Sequence, residues 1–217
     1  MAYDRRRRLA RLTALVLSGG LAWLADVGPA SADMMQVCDA YLRKDYKAAL
    51  TELLPLANSG DADAQIALGW LYDNGLGMGH EDDAQAAKWY ELAANQGDDR
   101  AQQFLGTMYA TGDGVDKDMK AAEHWFRLAA DQDNPGGQFG LGVMYRDGAG
   151  VPRDPVEAYK WFGLAAQSPE ATPEAAIDQL AVARSMTPDE IAAGDAAIAA
   201  WKPKQRAVPR QICSTSE

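Results

Sequence analysis

Apolar side chains recur at helical spacing through the middle of the chain. Ala64, Leu68 and Tyr72 lie four residues apart, which places all three on one face of a helix. Two further segments carry the same spacing, at Ala101, Leu105 and Tyr109 and at Gly137, Leu141 and Tyr145. The pattern predicts three helices, each with this face turned towards a core.

Residues suited to capping a helix precede each apolar run. Aspartate and asparagine side chains accept hydrogen bonds from the backbone N–H groups that a helix start leaves unpaired. Such residues come before the three first helices, at Asp61, Asp98 and Asn134. They also come before a second set of helices, at Asp82, Asp118 and Asp154. We therefore expect helix pairs, and each second helix carries an aromatic pair that begins at Trp89, Trp125 or Trp161.

The helix pairs repeat with a period of 36 or 37 residues. The segments "ALGWLYDNGLGM", "FLGTMYATGDGV" and "GLGVMYRDGAGV" carry Leu-Gly, Tyr and Gly-x-Gly at the same offsets. A glycine-rich loop that cradles a phosphate needs a lysine and a hydroxyl residue after its last glycine, whereas Met78, Val115 or Val151 follows here. Periods of this length are typical of helix pairs stacked into a solenoid, which predicts an all-α fold.

Glycines occupy two kinds of position in every unit. Gly69, Gly106 and Gly142 lie in the middle of the first helices, where glycine costs about 1 kcal/mol relative to alanine. The reason we expect is a helix crossing too close to admit a Cβ atom. The glycines after these helices suit the left-handed position at a helix end, at Gly75, Gly112 and Gly148.

The sequence divides into a leader, a helical array and a tail. Residues 33–60 match a second helix preceded by a shortened first helix, and we interpret them as a capping unit. Two terminal helices are predicted to start at Thr172 and Thr187, the second with a full capping box. They are predicted to end near Ser185 and Trp201. The predicted segments are a signal peptide (1–32), the N-terminal capping pair (33–60), repeats at 61–97, 98–133 and 134–168, C-terminal capping helices (169–202) and an extended tail (203–217).

The first 32 residues have the composition of an export signal peptide. Arginines between residues 5 and 11 form a basic start, residues 12–24 an apolar run, and small residues at Ala30 and Ala32 permit cleavage before Asp33. A membrane anchor is the alternative, but a spanning helix needs about 20 apolar residues, and glycines interrupt this run. We expect a periplasmic or secreted protein that is not inserted in a membrane after cleavage. The general secretory route is favoured, and the twin-arginine route stays open.

The charge and the cysteine content limit which classes of molecule this chain is expected to bind. The chain has a formal net charge of −10, and cleavage removes more arginines than aspartates, so the exported part is more acidic still. Such a surface repels the phosphates of nucleic acids and anionic membranes. The two cysteines, Cys38 and Cys213, are disulfide candidates in an oxidising compartment. Their pairing within one chain is left open, because the segment from Pro203 to Cys213 reaches at most roughly 35 Å.

At these residues the chain resembles the Sel-1-like repeat family, relatives of the tetratricopeptide repeats. Units of that family run Ala-x-x-x-Leu-Gly-x-x-Tyr, Gly-x-Gly-Val and Lys-Ala-x-x-Trp-Tyr/Phe-x-x-Ala-Ala, and residues 37–167 carry this pattern. The resemblance implies a right-handed α-solenoid of antiparallel helix pairs that binds other proteins, often as an adaptor or regulator in signalling and envelope processes. The cysteine pair that staples each unit of cysteine-rich members is missing here.

The sequence offers little support for catalysis or metal binding. Some cysteine-rich relatives are described as penicillin-binding or β-lactamase-like, a chemistry that needs a serine with a lysine three residues on. No serine of this chain has that lysine. The histidines, His80 and His124, lack the spacing of a zinc site. We therefore predict no enzymatic activity, no cofactor and no metal.

A variable face of the first helices is the candidate surface for a partner protein or peptide. In tetratricopeptide relatives the equivalent face lines the concave groove, so the resemblance places binding here. Trp70, Phe139 and Arg146 are the strongest candidates, because binding hot spots favour large aromatics and arginine. For Trp70, packing against a neighbouring helix is as well supported by the sequence as contact with a partner. The predicted face consists of Ile66, Trp70, Asp73, Gln103, Thr107, Ala110, Phe139, Val143 and Arg146.

Three hypotheses for function follow from these patterns. The first is an exported, non-catalytic scaffold or regulator that holds another protein in its groove, for example the outer domain of a sensor kinase. The second is a hydrolase of cell-wall material or β-lactams. The third is a structural envelope protein linked to another chain through Cys213. The sequence leaves the oligomeric state open.

Overall fold

The structure, a computed structural model, describes residues 32–171 and 173–204. Residues 1–31 of the predicted signal peptide, the tail beyond Lys204 and with it Cys213 lie outside the described residues. The described residues form ten helices. In chain order they are α1 (Ala32–Leu42), α2 (Tyr46–Asn58), α3 (Ala62–Asp73), α4 (Asp83–Asn95), α5 (Asp99–Thr111), α6 (Met119–Asp131), α7 (Pro135–Asp147), α8 (Pro155–Gln167), α9 (Pro173–Ala183) and α10 (Pro188–Ala200).

The predicted helix starts are confirmed by hydrogen bonds to the capping side chains, apart from the start at Thr172, which lies outside the described residues. Asp61 and Asp98 accept from the backbone N–H three residues on, at 2.8 Å and 3.1 Å. Thr187 and Glu190 form the reciprocal capping box at the start of α10. The other predicted caps accept from backbone N–H groups in the same way, at Asp82, Asp118, Asn134 and Asp154.

Consecutive helices pack on each other in the order of a solenoid. Each helix from α1 to α8 contacts the next, and α5 also contacts α7, so first helices of neighbouring units lie side by side. The end of the array departs from this order, because α10 turns back to pack on α8, the helix against which α9 also lies. The predicted all-α solenoid is confirmed, but its last two helices do not form another stacked pair.

The glycines in the middle of the first helices each face an aromatic ring. A Cβ atom added to any of them would lie 2.6 or 2.7 Å from a ring carbon on the second helix of the same unit. The three pairs are Gly69 with Tyr90, Gly106 with Phe126 and Gly142 with Phe162. The predicted close crossing is therefore confirmed. In every unit the ring belongs to the residue that follows the tryptophan.

The second glycine of each Gly-x-Gly turn joins its unit to the preceding one. Gly77, Gly114 and Gly150 have positive φ angles and lie against the start of the preceding unit's second helix. A Cβ atom added to Gly77 would lie 2.8 Å from the carbonyl oxygen of Tyr46, and Gly150 has the same relation to Met119. These turns need glycine both for the left-handed backbone and for the close approach.

The core side of the first helices differs by one position from the expected pattern. Tyr72, Tyr109 and Tyr145 were expected in the core, yet all three are only half-buried. A tyrosine has a polar tip that usually reaches a partner or water, and the Tyr145 hydroxyl accepts from Arg127 Nη2 at 2.7 Å. The residues just before the tyrosines fill the core instead, namely Leu71, Met108 and Met144.

Buried glutamines hydrogen-bond neighbouring helices along the array. Gln65 donates to the carbonyl of Ala57 in the preceding unit at 3.0 Å and accepts from Gln96 at 2.7 Å. One unit on, Gln102 accepts from Gln132 at 2.9 Å. A buried amide needs partners for both its donor and its acceptor, and these pairs supply them. The glutamine pairs thus join the two helices of one unit, and the bond to Ala57 holds the first unit to the preceding one.

The glutamine series is incomplete in the third unit. Gln138 continues it and is fully buried, and its amide nitrogen donates to Asp133 at 2.8 Å. Its Oε1 finds no hydrogen-bond donor among the described residues. The reason is that Ser168 stands where the first two units place their second glutamine. The glutamine pair that joins the two helices of each of the first two units is therefore missing in the third.

Polar contacts also join the starts of successive first helices. Arg100 Nη2 lies 2.5 Å from a carboxylate oxygen of Asp63 on α3 and 2.7 Å from one of Asp98. Burial disfavours the charged guanidinium, but the hydrogen bonds to these carboxylates outweigh it and raise the pKa of Arg100. On the next unit, Asn134 Nδ2 donates to Asp99 at 3.0 Å. The helix caps thereby connect units as well as starting helices.

Asp73, at the end of α3, lies in an acidic corner. Burial raises the pKa of its carboxyl to about 6, and the nearby carboxylates of Asp83, Glu81 and Asp113 add to the rise. The ionised carboxylate is therefore the unfavourable form in the folded protein. Asp73 costs stability at neutral pH, which is opposite to the usual effect of a paired surface carboxylate.

We expect Gly142→Ala to destabilise the array, because the new methyl group collides with the ring of Phe162. Overpacking costs about 1–3 kcal/mol, which exceeds the roughly 1 kcal/mol that alanine gains over glycine in a helix. Urea unfolding followed by circular dichroism should show a lower midpoint. In a Phe162→Leu background the substitution should cost less. An equal cost in both backgrounds would show that the ring is not the obstacle.

We expect Asp73→Asn to stabilise the protein at neutral and higher pH. The folded-state pKa of about 6 lies above the ordinary value of 3.8, so ionisation destabilises the fold as pH rises through this window. Thermal unfolding at about pH 8 should show a gain on the order of 2 kcal/mol, and at about pH 4 almost none. Asp147→Asn is the control with the opposite sign, since Arg146 lowers the pKa of Asp147. An unchanged midpoint for Asp73→Asn at the higher pH would contradict the account.

Candidate protein-binding face

Six residues on the first helices stay half-buried at the same two offsets in all three units. We call them the first-helix face: Trp70, Asp73, Thr107, Ala110, Val143 and Arg146. They lie on α3, α5 and α7, whose other sides are buried against the core. Their chemistry changes from unit to unit. The first unit presents an aromatic and an acidic side chain, the second presents two small side chains, and the third presents an aliphatic and a cationic side chain. This combination of a constant backbone position and variable chemistry suits recognition of a partner.

Two residues of the predicted face are buried instead of accessible. Ile66 is 0% exposed and lies in a cluster with Leu105 of the next unit. Phe139 is 7% exposed, and its ring centroid lies 5.4 Å from that of Phe162. Their shared position is covered by the first helix that follows, α5 in one case and α9 in the other. The prediction was wrong for both, because the spacing within one helix does not show what the next unit covers.

The middle of the face is formed by short or internally bonded side chains. Gln103 has the same position as Ile66 and Phe139 but is half-buried, and its Cγ would lie 2.7 Å from a Cβ atom on Gly136. Thr107 Oγ1 donates to the backbone carbonyl of Gln103 at 3.1 Å. Gln103 is thus mainly a contact between units, and the Thr107 hydroxyl is bonded within its own helix.

Trp70 forms the end of the face nearest α1. Its ring centroid lies 5.8 Å from that of Tyr41, and its Nε1 is buried with no hydrogen-bond acceptor among the described residues. Burial, with a contribution from Tyr46, raises the pKa of Tyr41 to about 12, so that hydroxyl stays protonated. The indole therefore packs on a neighbouring helix, as the alternative interpretation required, and still leaves part of its surface open.

Arg146 forms the opposite end and is held in place on several sides. Its Nε lies 2.7 Å from Asp147, its Nη1 lies 3.1 Å from Asp178 on α9, and the guanidinium lies 5.8 Å from the ring centroid of Phe162. The hydrogen bond to Asp147 raises the pKa of Arg146 and lowers that of Asp147. The side chain is 32% exposed. It offers a fixed guanidinium whose charge is largely balanced.

Sequence reasoning missed Tyr41 and Asp178, which support the two ends of the face. Both lie in the terminal helices α1 and α9, outside the regular repeats. The repeat pattern that exposed the first-helix positions has no counterpart there. Only the folded array brings Tyr41 to Trp70 and Asp178 to Arg146.

The described residues contain no cluster of side chains that could hold a metal ion. His80 lies exposed with its Nδ1 3.3 Å from the carbonyl oxygen of Glu81, and His124 lies exposed beside the ring of Trp125. No helix within the described ranges has the length and apolar character needed to cross a membrane.

Comparisons with known proteins agree with this architecture. The family model for the Sel1 repeat matches residues 62–98, 99–134 and 135–169. Among solved structures, a Sel1 repeat protein from Oxalobacter formigenes is similar, with 32% identity and a TM-score of 0.60 over 67% of this chain and 58% of that one. Another is c5321, described as a protective antigen of uropathogenic Escherichia coli strains displaying an SLR fold, with 25% identity and a TM-score of 0.53 over 70% of this chain and 40% of that one. No curated protein matches the chain.

The matched repeats coincide with the helix pairs of the structure. They begin at the first residues of α3, α5 and α7, so each family unit holds one first helix and one second helix. The chain spans less than two thirds of the length of either solved relative. The resemblance inferred from the sequence is confirmed, and the chain belongs to the Sel1 repeat family.

Proposed function

We propose that this chain is an exported, non-catalytic scaffold or regulator that binds another protein through its first-helix face. Sel1 repeats generally mediate contacts between proteins. The observation that carries the proposal is that two equivalent positions on the first helix stay half-buried in all three units while the residues at them differ. Positions that hold the units together, such as the glycine and ring pairs, are nearly invariant by comparison.

The dimensions of the face suit a short segment of a partner. Packed helices lie about 8–10 Å apart, so α3 and α7 are separated by roughly 20 Å, which about six extended residues can span. Such a segment would contact an aromatic surface at Trp70 and a rigid cation at Arg146. Between them, the small side chains of Thr107 and Ala110 would let the segment come close to α5. Small residues in the middle favour backbone contact there, and the aromatic end favours an apolar side chain.

The charge of the chain favours a basic partner. The formal net charge is −10, and Asp73 of the face lies near the carboxylates of Asp83, Glu81 and Asp113. An acidic protein attracts basic partners over long range and accelerates their association. We therefore propose a partner segment with net positive charge, for example within the outer domain of an envelope signalling protein, whose activity this chain would modulate.

Export to the periplasm is the second element of the proposal. The basic start and apolar run before residue 25, with small residues ahead of Asp33, support cleavage there. Cleavage before Asp33 would leave the buried residues Val37, Ala40 and Tyr41 of α1 in the mature chain.

Processing can be measured directly. Expression of the full chain in a Gram-negative host should yield a periplasmic protein whose intact mass and N-terminal sequence begin at Asp33. Ala30→Asp/Ala32→Asp should block cleavage, because signal peptidases require small residues at these positions. A mature protein that keeps residues 1–32, or that stays in the cytoplasm, would refute the proposed export.

Partner binding can be tested with variants that alter the face but keep the core. We expect Thr107→Lys/Val143→Glu to lose about tenfold or more of the proteins captured from an envelope extract, since both substitutions place charge in the proposed contact. The matched control is Lys88→Glu/His124→Lys, which alters two exposed residues of the second helices α4 and α6. Circular dichroism and the unfolding midpoint would establish that all variants are folded. Equal capture by both double variants and the parent would show that binding, if any, lies elsewhere.

A further inference from the structure

The acidic corner at the end of α3 collects carboxylates from two units. The backbone N–H of Asp82 donates to the carbonyl of Tyr72 at 3.0 Å, which places the start of α4 beside the end of α3. Gly114 of the next unit lies directly against the backbone of Asp83, and this contact brings the neighbouring turn to the same place. Four acidic residues meet there, and we call them the acidic corner: Asp73, Glu81, Asp83 and Asp113.

No basic side chain of the described residues compensates the charge of Asp73. The charged groups that raise its pKa are all carboxylates, and no described lysine or arginine pairs with it. Arg100, the basic residue of α5, is bonded at the far end of that helix. In the third unit the equivalent position is Arg146, which does find an opposite charge in Asp178 on α9. The first unit has no such contact for Asp73.

A buried hydroxyl without a hydrogen bond lies beside Asp73. Tyr90 is 1% exposed, and its Oη has no partner among the described residues. The ring atoms Cε1 and Cζ, which are near the hydroxyl, lie 2.6 Å and 3.1 Å from the place of a Cβ atom on Gly69. Asp73 follows Gly69 by four residues and therefore lies on the same side of α3. The hydroxyl is thus directed towards the corner, and the charge of Asp73 adds to burial in raising the pKa of Tyr90.

The packing of the first unit does not require this hydroxyl. The equivalent rings, Phe126 and Phe162, make the same crossing without one. The first unit alone has the hydroxyl, and it alone has an acid at the position of Asp73, where the others have Ala110 and Arg146. Both groups are unfavourable in the free protein, since one is an uncompensated charge and the other lacks a hydrogen bond. Groups in this state are typical of a site that a ligand completes.

The ligand that suits these groups is a cation with several hydrogen-bond donors. The described carboxylates are not arranged to hold a metal ion, so the corner suits a larger cation. A guanidinium presents five N–H donors in a planar fork, which can bond carboxylates on different elements and a hydroxyl oxygen together. It also packs on aromatic rings, and Phe104 stacks on Tyr90 here with ring centroids 4.8 Å apart.

We propose that the acidic corner binds one arginine side chain of the partner protein, with Asp73 and Tyr90 as the groups that contact its guanidinium. The inference rests on the proposed function, because Asp73 belongs to the first-helix face, one turn from Trp70. The other carboxylates of the corner add negative charge around the site. Binding compensates the charge of Asp73, so the residue that destabilises the free protein strengthens the complex.

An NMR titration of the ¹⁵N-labelled protein with short peptides tests the site without the partner. The probes are acetyl-Ala-Arg-Ala-amide and the same peptide with citrulline, which has the shape of arginine without its charge. The arginine peptide should bind with a Kd of about 1 mM, as one side chain with few contacts would. It should shift the backbone signals of Asp73, Tyr90 and Asp113. The citrulline peptide should bind about tenfold more weakly or not at all.

Substitutions in the corner separate its contacts from its general charge. Asp73→Asn should weaken binding of the arginine peptide about tenfold, and Tyr90→Phe about threefold. Neither should lower the unfolding midpoint, because the first removes an unfavourable charge and the second an unsatisfied hydroxyl. The matched control is Glu91→Gln, which removes one exposed carboxylate from α4 and should leave the Kd unchanged.

Three results would overturn the proposal. They are a parent that does not bind the arginine peptide, equal binding of the two peptides, and equal weakening by Asp73→Asn and Glu91→Gln. The proposed function would survive any of them, provided that Thr107→Lys/Val143→Glu still loses captured proteins. Selective binding of the arginine peptide beside unchanged capture would instead support the arginine site and refute the first-helix face as the surface that holds the partner.

Discussion

The contact between a glycine and an aromatic ring is the constraint on which the array depends. In each unit the ring of the second helix lies where a Cβ atom of the first helix would be, at 2.6 or 2.7 Å. Any other residue at Gly69, Gly106 or Gly142 would push the two helices apart. Because a solenoid stacks its units in sequence, a wider pair in one unit would shift every contact with the next. The helical cost of three glycines is offset by that close fit.

The contacts between units follow from this constant spacing. The second glycine of each turn reaches the preceding unit's second helix, and the buried Gln65 and Gln102 donate to backbone carbonyls of that helix. Where the sequence departs from the pattern, the structure changes with it. Ser168 leaves Gln138 with an unpartnered oxygen, Leu180 replaces the glycine in α9, and α10 turns back over α8. The end of the array is thus recognisable as a unit that was begun but not completed.

Much of the fold could be predicted from the sequence because its determinants are local and repeated. Caps such as Asp61 and glycines such as Gly106 act within a few residues or within one helix pair, and three copies remove the ambiguity of one. The binding face was harder to predict. Ile66 and Phe139 share a helix side with accessible residues, yet the following first helix covers them, and helical spacing carries no information about that neighbour. The recurrence of Gln65, Gln102 and Gln138 was present in the sequence and does indicate a buried series, but only the structure shows its partners.

Positions that stack the units are distinct from positions left for a partner, and a substitution scan tests that distinction most directly. Proteolytic stability would be measured for every single substitution between residues 61 and 168. We expect sensitivity that recurs with the repeat period. It should be high at the glycines, at their rings and at Ile66 and Phe139, and low at Thr107, Ala110 and Val143. Equal sensitivity at the first-helix face and at the glycine positions would contradict it, since the face would then be part of the core.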